Sequence, residues 1–211
     1  MRNGRRLVIP RSPDSAAAPV DQFHPRSALH RPITVARAWH RGDTLGVRFS
    51  VADRYVVCRN TGLHSAVCRD SCVEFFVQPR GAGGYFNFEV NCGGALLVYY
   101  IEDPTRTESG FRKFRPLEVQ DAAEVRVVAA LPPVLEREVA EPLGWTIRLE
   151  VPVPVLERYA GPLGDLSGQT WRGNFYKCAD QSSQPHWASW NPIGETLDFH
   201  QPERFAELSF E

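Results

Sequence analysis

The chain has 211 residues, 24 basic and 25 acidic side chains for a net charge of −1, and 43% hydrophobic residues. That is the composition of a globular domain, not of a disordered or fibrous chain. The balanced charge excludes the basic excess of a nucleic-acid or anionic-membrane binder, and no apolar run reaches the ~18 residues of a membrane-spanning helix.

The opening residues are basic, but their apolar stretch is only Leu7-Val8-Ile9. A signal-peptide core needs roughly 7–15 apolar residues, so a cytoplasmic location is expected for the chain as it stands. Residues 1–30 are rich in Pro, Ser and Ala and read as an extended N-terminal arm laid over one domain, residues 31–211. Ile33–Trp39 and Thr44–Ala52 alternate with period two around the turn His40-Arg41-Gly42-Asp43, which predicts a hairpin. Cys72–Gln78 puts Val73, Phe75 and Val77 on one face and Cys72, Glu74, Phe76 and Gln78 on the other. Tyr85–Asn91 divides the same way, with Tyr85, Asn87, Glu89 and Asn91 on its polar face. Leu96–Ile101 completes a three-stranded antiparallel meander. Asp103–Arg115 reads as a polar loop.

Val125–Leu131 and Trp145–Val151 are further strands, the second ended by Pro152 and Pro154. Val155–Tyr159 has the look of one helical turn. Thr170–Cys178, His186–Trp190 and Phe205–Phe210 finish the chain as strands. Many short strands at regular spacing, without an amphipathic helix, predict an all-β, two-sheet antiparallel β-sandwich of immunoglobulin-like or jelly-roll-like type. Five cysteines occur without CxxC spacing. Cys68 and Cys72 are spaced like ligands, but no second pair matches them, so reduced thiols are expected and no metal site.

The informative polar residues are those on central strands. Strands joined by a short loop pair, so Glu74, Glu89 and Asn91 are expected on one sheet face, with cross-strand Cβ atoms about 5 Å apart. Two carboxylates that close repel unless a cation, a proton or a ligand hydroxyl offsets them. Phe199 and His200 beside Asp198 offer an aromatic plate ringed by hydrogen-bonding groups, the chemistry that binds sugars.

Six segments in order carry a resemblance: Arg48–Asp53, Asp70–Val77, Tyr85–Asn91, Trp145–Pro152, Gly173–Cys178, and the stretch holding Ala188–Pro192 and Phe199–Phe205. Together they resemble the carbohydrate-binding module family 9-like domains over roughly residue 30 to the end. The resemblance implies a two-sheet antiparallel β-sandwich and a non-catalytic sugar-binding function. It places a ligand site at Glu74, Glu89, Asn91, Lys177 and Phe199, to which the aromatic-loop reading adds His200. In the family two tryptophans clamp the sugar; here one clamp position falls near Cys68 and the other is Phe199. Glu89 stands where a basic residue is expected and Lys177 where an amide is, so a Glu89–Lys177 pair across the site is implied. A structural calcium ion, as family members carry, would draw on Asp53, Asp70 or Asp198, although no EF-hand spacing occurs and each also reads as a turn residue.

Two other functions compete. Glu74 and Glu89 at about 5 Å would suit a retaining glycoside hydrolase, or with His200 a metal, but no orienting shell is legible and modules of this family are not catalysts. A haem- or cofactor-binding sandwich would need an axial His or Met; Met1 is the one methionine, and His64, His186 and His200 fall in expected loops. The expected partner is a carbohydrate, possessed as an oligosaccharide or glycan end, with no nucleic acid and no membrane; the sequence leaves the sugar, any enzyme partner and the oligomeric state open.

Overall fold

The computed structural model describes residues 4–13, 17–108 and 110–211. Residues 1–3 and 14–16 of the expected arm lie outside the described residues. The strands in chain order are β1 (Arg6–Ile9), β2 (Ala17–Pro19), β3 (Gln22–Phe23), β4 (Ile33–Arg41), β5 (Thr44–Asp53), β6 (Val56–Cys58), β7 (Cys72–Gln78) and β8 (Tyr85–Asn91). They continue as β9 (Leu96–Thr107), β10 (Gly110–Pro116), β11 (Arg126–Ala129), β12 (Leu135–Val139), β13 (Leu143–Pro152), β14 (Thr170–Cys178), β15 (Trp187–Ser189) and β16 (Ala206–Phe210). Two short helices, α1 (Val119–Glu124) and α2 (Val153–Ala160), join them.

One sheet runs β1-β16-β14-β7-β8-β9-β10, with β15 on β14 and β3 on β15; a second runs β11-β13-β5-β4-β2; β6 and β12 form a small third ladder. The two large sheets pack face to face as a β-sandwich. Alternation decides which residues fill the space between them. Val73, Phe75, Phe86, Phe88 and Phe175 come from the first sheet and Val47, Phe49, Trp145, Ile147 and Leu149 from the second, all buried in one core. Phe175 stacks on Phe75 at 5.0 Å and meets Phe49 edge-on at 6.1 Å across the gap. Each such ring contributes roughly 2–3 kcal/mol of burial. Gly46 on β5 lies under the Trp39 indole, where a Cβ would collide with the ring.

The arm differs from an overlay. It is woven into both sheets: β1 pairs β16 in parallel, β2 pairs β4 and β3 pairs β15. Leu7, Ile9, Ala18 and Val20 are buried there, so unsatisfied sheet edges and apolar contacts both draw the arm in. The parallel β1–β16 pair is a departure from the antiparallel rule the sequence implied.

The expected loop at Asp103–Arg115 is instead a hairpin, since β9 continues to Thr107 and pairs β10. Its far end is exposed on both faces, so hydrophobic alternation fades, and ion pairs such as Lys113–Glu102 (2.8 Å) replace it. This hairpin rises beside the outer face of the first sheet and supplies one side of the site. Among the described residues no helix is long and apolar enough to cross a membrane.

Candidate functional site

The site lies on the outer face of the first sheet, the face turned away from the second. Register sets its rows. Trp187, Cys178, Cys72 and Asn91 are successive partners across β15, β14, β7 and β8. The next row on that face is Tyr176, Glu74, Glu89 and Leu97, and the next holds Phe76, Asn87 and Tyr99. The β9–β10 hairpin and the loop around Leu197–His200 rise over these rows. They close a hollow of about 290 Å³.

Glu74 and Glu89, directly opposite one another, lie at its base and are 3% and 6% exposed. Oε1 of Glu74 accepts from the Cys178 thiol at 3.2 Å; Oε1 of Glu89 accepts from Nδ2 of Asn87 at 2.8 Å. The Asn87 amide is fixed because its Oδ1 accepts from the Tyr99 backbone N–H at 2.8 Å. Among the described residues, hydrogen bonds reach only Oε1 of each carboxylate. Burial pushes both carboxyls up, Glu89 to about 7, and the neighbouring Glu89 raises Glu74 further.

One side is a polar and aromatic group. The His200 ring has the Tyr85 hydroxyl 2.8 Å from Nδ1 and Oε1 of Glu89 3.9 Å from Nε2. It packs on Phe111 at 4.4 Å and on Phe76 at 4.7 Å. Burial and the Arg106 guanidinium push its pKa down to about 3, so the imidazole is neutral. Asp198 accepts from the His200 backbone N–H at 2.9 Å and from Arg106 at 3.0 Å. Arg106 in turn lies over Phe111 at 4.3 Å. At another part of the wall the half-buried Trp187 donates from Nε1 to Oδ1 of Asp180 at 2.7 Å.

Four of the residues singled out in the sequence, Glu74, Glu89, Phe199 and His200, line this hollow. Phe199 offers little ring surface: it is 9% exposed and stacks on Tyr176 at 4.2 Å. Two others are placed differently. Asn91 is on the expected face but at its sealed end, where Nδ2 donates to Oδ2 of Asp70 and to the Asn60 carbonyl, both at 2.8 Å, and Oδ1 accepts from the Ala95 N–H. It holds a loop instead of lining the hollow. Lys177 lies on the opposite face, in register with Val73, and points between the sheets. There it sits 3.4 Å from Oδ2 of Asp53, both side chains fully buried, and 2.8 Å from Nε2 of His186. The implied Glu89–Lys177 pair is therefore replaced by an Asp53–Lys177 pair, because alternation turns Tyr176 and Cys178 outward and Lys177 inward. Asn87, Tyr99, Arg106, Phe111, Asp180 and Trp187 are among the other lining residues and were not singled out as site residues. Parity with Glu89 pointed to Asn87, and the Cys178↔Trp187 register to Trp187; Arg106 and Phe111 depended on the unforeseen hairpin.

The residues proposed for calcium do not fit one. Asp53 is spent on Lys177, His30 and Trp145, Asp70 on the Arg59 and Asn60 N–H groups and Asn91, and Asp198 on Arg106 and His200. A different set converges: Cys72, Glu74 and Cys178 present ligand atoms within 4.8 Å of one another. Thiolate and carboxylate oxygen would suit a zinc-like ion more than calcium. Burial pushes the Cys72 thiol up to about 12 and raises the Glu74 carboxyl, and the hydrogen bond with Cys72 together with burial raises the Cys178 thiol. All five cysteines are free.

A β-sandwich with a polar, aromatic-lined hollow on one sheet face is the architecture of a ligand-binding module. The sequence profile of carbohydrate-binding family 9 matches residues 14–210, and the chain belongs to that family. It is a non-catalytic carbohydrate-binding domain. A candidate carbohydrate-binding protein from Bacteroides uniformis ATCC 8492 superposes with a TM-score of 0.86 at 28% identity, over 99% of this chain and 100% of that one. A family 9 module from Caldicellulosiruptor kristjanssonii, in complex with cellotriose, has a TM-score of 0.58 at 14% identity over 98% of this chain and 94% of that one. The same organism's family 9 module in complex with glucose gives 0.58 at 13% identity, over 98% and 96%. No curated protein matches the sequence.

Proposed function

We propose that the hollow above Glu74 and Glu89 is where this domain holds its carbohydrate, as a single sugar or the end of a glycan. The observation that carries the reading is the juxtaposition of two buried carboxylates, each with one oxygen unclaimed, and the half-buried Trp187 and Tyr99 rings. Carboxyl and amide groups take hydroxyls in directed hydrogen bonds, while an aromatic surface packs against the C–H face of a pyranose. A hollow of about 290 Å³ is at the small end for ligand sites, which suits one or two rings and not a long chain lying flat. The neutral His200 contributes hydrogen-bonding capacity without a charge to desolvate. The glucose and cellotriose held by the Caldicellulosiruptor modules make glucose and short β-glucans the first ligands to try.

A small contact area with a few hydrogen bonds implies weak binding, on the order of 0.1–1 mM. Isothermal titration against glucose, xylose, cellobiose and cellotriose tests the proposal. Saturable heat that disappears in Trp187→Ala supports it. No heat from any sugar at millimolar concentration would overturn it.

A further inference from the structure

The hollow is acidic beyond what a neutral sugar requires. Glu74, Glu89, Asp180 and Asp198 line it, against the single guanidinium of Arg106 among the described lining residues. Arg106 is already held by Asp198 through two contacts, at 3.0 and 3.4 Å. The one imidazole in the lining, His200, is neutral. The lysine that would have balanced Glu89 faces the other side of the sheet and is engaged with Asp53. Asp180 receives the Trp187 indole N–H, and burial raises its carboxyl by more than the hydrogen bonds from Trp187 and Cys68 and the charges of Arg69 and Lys177 lower it. Glu74 and Glu89, opposite one another in register, receive a thiol and an amide but no cation.

Two apposed buried carboxyls, each with an unclaimed oxygen, form a receptor for a group with several N–H donors and a positive charge. We infer that the domain prefers an amino sugar with a free ammonium group over the corresponding neutral sugar, the ammonium lying between Glu74 and Glu89. The inference rests on the proposed cleft and names the class of sugar it selects. A hydroxyl brings one donor and no charge; an ammonium brings three donors and makes each hydrogen bond charge-assisted, which roughly doubles its strength. The titratable groups facing it are Glu74, Glu89, Asp180, Asp198, Arg106, His200, Tyr99, Cys68 and Cys178. An N-acetylated sugar keeps the ring but loses the charge and adds bulk, so it falls with the neutral sugars.

The test is isothermal titration of the whole chain with glucosamine, glucose and N-acetylglucosamine at about pH 6.5, where a primary amine is protonated, with EDTA present to remove competing divalent cations. Glucosamine is expected to bind about tenfold or more tightly than glucose. Glu89→Gln keeps the shape and removes the charge, and is expected to bring the glucosamine-to-glucose ratio close to one. Glucose binding as tightly as glucosamine in the parent protein would overturn the preference while leaving the cleft intact. Heat from none of the three sugars, nor from cellobiose, would overturn the cleft reading and the preference with it.

Discussion

Lys177→Met separates the two roles that the Lys177 side chain was open to. In the fold this ammonium is enclosed between the sheets, 3.4 Å from Asp53, 3.0 Å from the Cys178 carbonyl and 5.7 Å above the Trp145 ring. Burial pushes the Asp53 carboxyl up, but Lys177 and His30 together bring it below the usual carboxylate range, so it is ionised in the folded state. Methionine fills nearly the same volume and removes the charge. Asp53 is then a buried carboxylate left with neutral or weaker partners, His30, the Trp145 indole and the Arg54 backbone N–H. Breaking one side of a buried ion pair costs about 3–5 kcal/mol, a large share of the roughly 5–15 kcal/mol that holds a domain folded. Urea denaturation of parent and variant measures the loss, and sugar titration of the folded variant measures binding. Asp53→Asn added to Lys177→Met is expected to restore part of the stability, because the orphaned charge goes with it. A loss below about 1 kcal/mol, or a stable variant that no longer binds sugar, would refute the placement of Lys177 in the core.

Trp187→Ala is expected to weaken sugar binding at least about tenfold while changing stability by about 1 kcal/mol or less, since this ring is half-buried at the wall of the hollow and not between the sheets; titration beside urea denaturation checks both halves. The folded Glu89 carboxyl is held at about 7, above its unfolded value, so its contribution is fully present below about pH 4.5 and is lost as pH rises through about 7. The fall amounts to on the order of 3 kcal/mol, and Glu89→Gln should abolish it; parallel urea midpoints for parent and variant between pH 5 and pH 8 would contradict this. Asp53 acts with the opposite sign: its contribution is present above its ordinary pKa and is lost as pH falls through the depressed folded value, which Asp53→Asn removes from the acid limb of the stability profile. Gly46→Ala forces Trp39 out of its packed position and is expected to cost about 1–3 kcal/mol in the same denaturation assay.

The central meander was legible in the sequence because its signals are local and strong. Cys72–Gln78 and Tyr85–Asn91 alternate without interruption, turn at a Gly-rich loop, and so fix which residues share a face; the observed register pairs Glu74 with Glu89 as that alternation required. The same rule, applied to Thr170–Cys178, puts Lys177 on the face opposite Tyr176, and the charge exchange suggested by the resemblance masked it. A buried lysine is rare enough that its side chain reads as a surface or ligand group until a partner such as Asp53 is seen, and that partner lies in the other sheet, 124 positions away in sequence. The β9–β10 hairpin was not legible because its outer half is wet on both faces and held by ion pairs, which leave no apolar period. With it went Arg106 and Phe111. Trp187 was not singled out, since composition alone does not tell a buried ring from one lining a hollow; only the pairing of β15 with β14 places it. The arm's strands are too short to show a period at all.

The five tryptophans give the most direct measurement of where sugar binds. In a ¹H–¹⁵N spectrum titrated with cellobiose or glucosamine, the Trp187 indole N–H and the Asn87 side-chain amide should shift together and saturate. The Trp39, Trp145 and Trp171 indoles should stay in place. Saturating shifts confined to residues outside the hollow, with Trp187 and Asn87 unmoved, would contradict the account.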